Sequence, residues 1–152
     1  MTRAYVGLGA NLGPREVTLL RAVDLLAVAD GVEVVAVSQL RDTQPVGFVD
    51  QPPFLNGAVA IDTRLTAREL LDLLLETERT LGRVRGERWG PRTVDLDLLV
   101  YGEDTVDEPG LRVPHPRLAE RRFALEPLAD LDPVLLIPGL GTVSAALAAL
   151  DD

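Results

Sequence analysis

Residues 82–102 constrain this chain more than any other stretch. The first half sets Arg83, Arg85, Arg88 and Arg92 among Gly86, Gly90 and Pro91. Glycine and proline at that density break helix and strand alike, so this half is read as a cationic loop. The second half is read as a strand. Successive strand side chains alternate in direction, so Asp95 and Asp97 are expected on one face, with Leu96, Leu98 and Val100 on the other. Two like charges on one face repel, and aspartate is disfavoured in strands, so the pair calls for a compensating cation. Magnesium suits it, because Mg²⁺ takes hard oxygen ligands, often one or two carboxylates completed by phosphate oxygens and water. An arginine loop leading into such a strand describes a polyphosphate site, with metal on one side of the phosphates and guanidinium forks on the other. A charged surface loop followed by a solvated edge strand is the alternative these residues leave open.

The flanking segments give the strand its setting. Residues 3–9 are small and apolar and are read as a buried first strand, and the turn Gly9-Ala10-Asn11-Leu12-Gly13-Pro14 opens a helix. That helix is expected over residues 15–29, with Val17, Leu20, Val23, Leu25 and Leu26 as its buried stripe. Residues 32–38 read as a second strand, and 41–53, rich in proline and glycine, as a functional or disordered loop. Strand character resumes over 54–62, placing Phe54 and Asn56 on one face. Residues 66–81 form the strongest predicted helix: Thr66 and Glu69 make a capping box, and Leu70, Leu71, Leu73, Leu74 and Leu81 supply the stripe. Glu78 near its end opposes the helix dipole and needs Arg79, Arg83 or a ligand amine to hold it; a surface ion pair is the plain alternative. After the central strand come an acidic turn over 102–110, a short helix over 124–131, a short strand over 134–137 and a terminal helix over 142–150. The order is β-α-β-β-α-β with packing additions. It predicts an α+β, ferredoxin-like fold: a mainly antiparallel sheet with helices on one face and ligand loops on the other.

A chain of 152 residues with 47% hydrophobic content suits a single domain, residues 1–152, with a real core. The formal net charge of −9 argues against nucleic acid or an anionic membrane as partner, so an anionic ligand must be met locally. Nine of the fifteen arginines fall between Arg79 and Arg122, and lysine is absent. There is no cysteine, which excludes disulfides and thiolate chemistry. The N-terminus lacks a signal-peptide layout and no apolar run approaches membrane-spanning length, so a cytoplasmic protein is expected; separately, a monomer is expected.

The order Arg-x-Arg, Arg-Trp-Gly-Pro-Arg-Thr and Asp-x-Asp resembles the signature of the 6-hydroxymethyl-7,8-dihydropterin pyrophosphokinases, which move the terminal diphosphate of ATP onto a pterin alcohol. Gly-Ala-Asn-Leu-Gly at the first turn, Thr-x-Pro-x-Gly from Thr43, Glu-x-x-x-Gly-Arg from Glu78, Val-Pro-His-Pro-Arg around His115 and Arg121-Arg122-Phe123 extend the likeness through nearly the whole chain. The resemblance implies ATP as co-substrate and two Mg²⁺ held by Asp95 and Asp97. It implies catalytic roles for Arg83, Arg92, Asp95 and Asp97, and contacts to ATP from Glu78, Arg85, Trp89, Leu98, Arg112, His115 and Arg121. It further implies a pterin slot made by Thr43, Gln44, Pro45, Val46, Phe54, Asn56 and Phe123, the two aromatics sandwiching the ring. Some members carry an arginine where this chain has Gly110, and Arg112 is the nearest substitute.

Two other classes use part of the same pattern. A two-metal phosphoesterase could employ the Asp-x-Asp pair with water as nucleophile. A non-catalytic ferredoxin-like module binding an anion would explain the arginines without the carboxylates.

Overall fold

The structure is a computed structural model and describes residues 1–43, 53–82 and 94–151. Five strands make the central antiparallel sheet: β1 (Thr2–Ala10), β2 (Val32–Val37), β3 (Arg41–Thr43), β4 (Phe54–Thr63) and β5 (Asp95–Tyr101), in the spatial order β2-β4-β1-β5 with β3 also paired to β4. Helices α1 (Arg15–Ala27) and α2 (Ala67–Thr80) pack on one face, completing the β-α-β-β-α-β order that the sequence predicts. On that face Val6 and Leu8 of β1 and Leu96 and Leu98 of β5 meet Leu19 and Leu26 of α1 and Leu70 and Leu74 of α2. The capping box of α2 is formed as expected: Glu69 N donates to Thr66 Oγ1 at 3.1 Å, and Thr66 N donates to Glu69 Oε1 at 2.9 Å.

The other face is divided. Tyr5, Ala60, Val100 and Leu99 are covered by the 3-10 turn Leu118–Glu120, by α3 (Arg122–Leu131) and by α4 (Val143–Leu150), which form a second core with Leu125, Leu128 and Val143. The α3 and α4 segments, expected as packing, close this end of the face. The end carrying Gly7, Gly9, Asn56, Asp95 and Asp97 stays open as a cleft.

Local expectations change in four places. In α1 the buried residues are Thr18, Leu19, Ala22 and Leu26, while Val17 and Leu20 face outward at 55% and 47% exposure. Arg15, Glu16, Arg21 and Asp24 are spread around this helix, so no single apolar stripe stands out in its periodicity, and the sheet takes the one where small Ala22 allows close approach. In β5 the pairing with β1 shifts between Tyr5 and Val6, so that Leu99 is extra. That β-bulge reverses the alternation beyond it, and Val100 points to the second core rather than lying with Leu96 and Leu98.

The start of the expected 41–53 loop is a strand, β3 (Arg41–Thr43), paired to β4 with Arg41 opposite Asn56 and Thr43 opposite Phe54. Arg41 is fixed there by Asp130, and Arg15 meets both Asp42 Oδ1 at 2.6 Å and the Pro53 carbonyl at 2.8 Å. The acidic 102–110 turn contains β6 (Val106–Glu108), which pairs with β7 (Leu111–Val113). A final two-stranded pair, β8 (Leu136–Ile137) and β9 (Gly141–Thr142), precedes α4, whose first turn is capped by Thr142 accepting from Ala145 N. Among the described residues no helix is long and apolar enough to cross a membrane.

Candidate active site

The cleft begins with strand register. Asn56, Gly9 and Asp95 form one row across the three neighbouring strands β4, β1 and β5; Ala58, Gly7 and Asp97 form the next. Strands lie about 4.8 Å apart, so Asn56 and Asp95 stand roughly 10 Å apart with only glycine between them. A Cβ on Gly9 would come within 3.0 Å of Asn56 Oδ1, and one on Gly7 within 3.2 Å of the Leu99 side chain. The central strand therefore offers a side-chain-free trough with an amide wall on one side and two carboxylates on the other. Sequence reading of the site passed over Gly7 and Gly9; two glycines at i, i+2 in a buried strand are the available signal for such close approach.

The trough widens into a cleft of about 790 Å³. Phe54, Asn56 and Thr43 line one wall, Asp95 and Asp97 another, and Phe123 and Arg121 enter from the start of α3. Asn56 Nδ2 donates to Thr43 Oγ1, tying β4 to β3. The guanidinium carbon of Arg121 lies 5.5 Å from the Phe123 ring centroid, a cation–π arrangement. The walls are braced from behind: Arg41 donates to both oxygens of Asp130 at 2.7 and 2.8 Å, linking β3 to α3. That guanidinium holds the Asp130 carboxyl below the usual carboxylate range, against the opposing effect of burial. Arg117, Glu120 and Arg122 also line this cleft; none of the three is among the expected site residues, although Arg117 and Arg122 belong to the motifs that carry the resemblance.

A second, smaller cleft of about 340 Å³ opens on the other side of Asp97. Leu98, Arg112, His115, Glu108 and Asp97 are among its walls, so Asp97 belongs to both clefts. His115 is half-buried; its backbone N donates to Leu99 O at 3.1 Å, and its Nδ1 accepts from Arg117 N at 3.2 Å. With Nδ1 engaged as acceptor, the neutral ring carries its proton on Nε2. Burial, then the nearby positive charge of Arg121 and Arg117, pushes the imidazole pKa down, with Asp97 opposing. Arg112 is exposed, its Nε 3.4 Å from Asp107 Oδ1, while Leu98 is buried beneath the cleft at 5% exposure.

Thr43, Phe54, Asn56, Asp95, Asp97, Arg121 and Phe123 thus share one cleft, and Leu98, Arg112 and His115 share the other with Asp97. Arg121 lines the larger cleft, yet it is near enough to His115 to act on its charge. The expected site residues Gln44, Pro45, Val46, Arg83, Arg85, Trp89 and Arg92 lie outside the described residues. Glu78 is placed differently from a surface ion pair. It is 4% exposed, and Arg79 pairs instead with Glu76 at 2.7 Å. Glu78 lines neither described cleft, and its Oε2 accepts from Leu96 N at 2.8 Å.

Residues 5–133 match the family described as 7,8-dihydro-6-hydroxymethylpterin-pyrophosphokinase (HPPK). The chain is similar to the 2-amino-4-hydroxy-6-hydroxymethyldihydropteridine pyrophosphokinase of Methylorubrum extorquens, with 50% identity across 99% of this chain and 95% of that protein. It is 49% identical to the Bacillus subtilis protein of the same name over 84% of this chain and 77% of the other. In fold it resembles the solved Plasmodium falciparum HPPK-DHPS with pteroate, with a TM-score of 0.78 at 14% identity. That likeness covers 97% of this chain but only 44% of the Plasmodium chain. The Asp-x-Asp strand, the paired phenylalanines and the two clefts that meet at Asp97 all fall within the matched residues, and the chain belongs to the 7,8-dihydro-6-hydroxymethylpterin-pyrophosphokinase family.

Proposed function

We propose that this protein transfers the terminal diphosphate of ATP to the hydroxymethyl group of 6-hydroxymethyl-7,8-dihydropterin, releasing AMP, as a step in folate synthesis. The observation that carries this reading is Asp97, which lines both clefts. A flat acceptor in the larger cleft and a polyphosphate in the smaller would meet over that carboxylate. The names of the similar proteins from Methylorubrum and Bacillus agree with it.

In this reading Phe54 and Phe123 hold the pterin between them, and Asn56, set by Thr43, reads the polar edge of the ring. His115 donates from Nε2 to a phosphate oxygen, and Arg112 and Arg121 add positive charge at the two ends of the phosphate path. Arg85, Trp89 and Leu98 complete the nucleotide side, with Glu78 behind it, Gln44, Pro45 and Val46 the pterin side, and Arg83 and Arg92 neutralise charge during transfer. The acceptor hydroxyl oxygen attacks the β-phosphorus and gives up its proton, which is released to solvent, a new O–P bond forms, and the bond from that phosphorus to the α,β-bridging oxygen breaks. AMP leaves with the bridging oxygen. Such transfer depends mainly on alignment and charge neutralisation, which two clefts with a common wall provide.

The donor set at this wall fits magnesium. Asp95 and Asp97 offer hard oxygens from one strand face, and among the described residues no three acidic, histidine or cysteine side chains are placed to hold a metal ion by themselves. The remaining ligands would come from phosphate and water, the usual arrangement for Mg²⁺ at a nucleotide. When bound, the metal supplies charge stabilisation on the phosphate oxygens.

Incubation with ATP, Mg²⁺ and the reduced pterin alcohol tests the reading. AMP formed only when pterin is present is the expected result. Phosphate release without pterin would instead indicate a phosphoesterase, and binding without turnover an anion-binding module.

A further inference from the structure

Glu78 is a carboxylate inside the protein, near the C-terminal end of α2, where the partial negative charge of the helix end opposes it. A carboxylate withdrawn from water needs hydrogen bonds to compensate. One of them is the 2.8 Å bond it accepts from Leu96 N. Leu96 is the residue between Asp95 and Asp97, and its side chain, 4% exposed, is anchored in the core beneath the sheet.

The position of that amide matters. Leu96 sits opposite Leu8 of β1, and because its N–H bonds Glu78 it points away from β1, toward the outer edge of the sheet. Among the described residues β5 ends the strand order, with a strand partner on the β1 side alone. Glu78 therefore does for this edge what a neighbouring strand does elsewhere, at the residue flanked by the two carboxylates. In a pleated strand, rotating the peptide at Leu96 swings the side chains on both sides of it. We infer that Glu78 is a positioning residue that holds the Leu96 amide and so sets the direction in which Asp95 and Asp97 enter the clefts. The geometry stands on its own; its consequence for catalysis rests on the proposed function.

Replacing Glu78 tests this, because glutamine keeps the oxygen acceptor and alanine does not. In Glu78→Ala, hydrogen exchange at the Leu96 amide should quicken at least tenfold, with the β1–β4 amides unchanged. Turnover should fall at least tenfold, and the Mg²⁺ concentration for half-maximal rate should rise several-fold. Mn²⁺ binding in the presence of a non-hydrolysable ATP analogue, followed by electron paramagnetic resonance, should weaken in parallel. Affinity for the pterin alone should stay within about twofold, which a general loss of structure would not allow. Glu78→Gln should restore Leu96 protection and most of the metal dependence. A glutamine variant as impaired as the alanine variant, despite native Leu96 protection, would overturn the inference and make the charge of Glu78 its function. Wild-type metal dependence in Glu78→Ala would overturn it as well. Should the alanine variant not fold, the glutamine variant decides by the same two readouts. If the wild-type protein made no AMP, the proposed reaction would fail, while amide exchange and Mn²⁺ binding would still decide the role of Glu78.

Discussion

The two clefts are built from different materials. The larger stands on the central sheet: Asn56, Gly9 and Asp95 are one row of a ladder, and Ala58, Gly7 and Asp97 are the next. Its sheet residues are fixed by register, because a one-residue slip would turn every side chain to the other face. The smaller takes Leu96, Asp97 and Leu98 from the edge strand β5 and Leu71 from α2, and completes its walls with the β6–β7 ribbon and the segment after it. A two-stranded ribbon is marginal by itself, and its Arg112 is exposed beside Asp107. Register thus specifies the floor of the larger cleft, while the smaller depends on Arg112 and His115, which the ribbon and the segment after it bring beside Asp97. Asp97 lies at the junction, with Asp95 beside it on the larger cleft.

The largest effect should come from that junction. Replacing both Asp95 and Asp97 with alanine removes the shared wall and, in the proposed reaction, the metal ligands. Loss of one preorganised electrostatic group commonly costs about 10²–10³ in rate, so turnover should fall by more than about 10³. The circular dichroism spectrum should be unchanged. Measurable activity in the double variant would dissolve the distinction between the clefts and their junction.

Next come the aromatic walls. Phe54→Leu and Phe123→Leu should each weaken pterin binding, by roughly 0.5–1.5 kcal/mol beyond the change in buried area, while leaving ATP affinity nearly unchanged. Calorimetry with each substrate separately is the check. A larger loss for ATP would assign the phenylalanines to the nucleotide.

The trough itself can be filled. In Gly9→Ala the added methyl meets Asn56 Oδ1 at 3.0 Å, and the amide must turn from Thr43 or from the ligand. Losing one such hydrogen bond costs about 1 kcal/mol, so a roughly fivefold rise in pterin Kd is expected, with little change for ATP. Unaltered pterin affinity would show that Asn56 does not read the ring.

The smallest effect concerns His115, the single histidine, whose ring signals are therefore unambiguous in an NMR titration. Burial and the neighbouring arginines hold its pKa below the ordinary 6.5, so in the ligand-free protein its midpoint should lie under that value, and Arg121→Ala should raise it. The sign for stability follows: between the folded and unfolded midpoints the unfolded chain binds more protons. Lowering the pH below 6.5 therefore removes stability through this residue. A midpoint at or above 6.5 in the free protein would contradict a half-buried ring beside cations.

What was legible in the sequence was what neighbours in the chain decide. The Thr66–Glu69 capping box is local, and so is the period-two placement of Phe54 with Asn56 and of Asp95 with Asp97; the structure contains all three. What escaped depends on distant partners. The direction of Val100 is set by a bulge that exists only because β5 pairs with β1. The buried face of α1 is chosen by the sheet, because charged residues spread around the helix leave no single apolar stripe. The burial of Glu78 requires the Leu96 amide, eighteen residues away. Gly7 and Gly9 read as ordinary small residues until Asn56 and the two aspartates stand on either side of them.

The central claim is that an acceptor in the sheet cleft meets the β-phosphorus of ATP over Asp97. ATP labelled with radioactive phosphorus at the β position tests it most directly. After one turnover with the reduced pterin alcohol and Mg²⁺, the account predicts the label in the pterin product and unlabelled AMP. Label retained in ADP, or released as phosphate, would contradict diphosphoryl transfer and with it this account of how the two clefts meet.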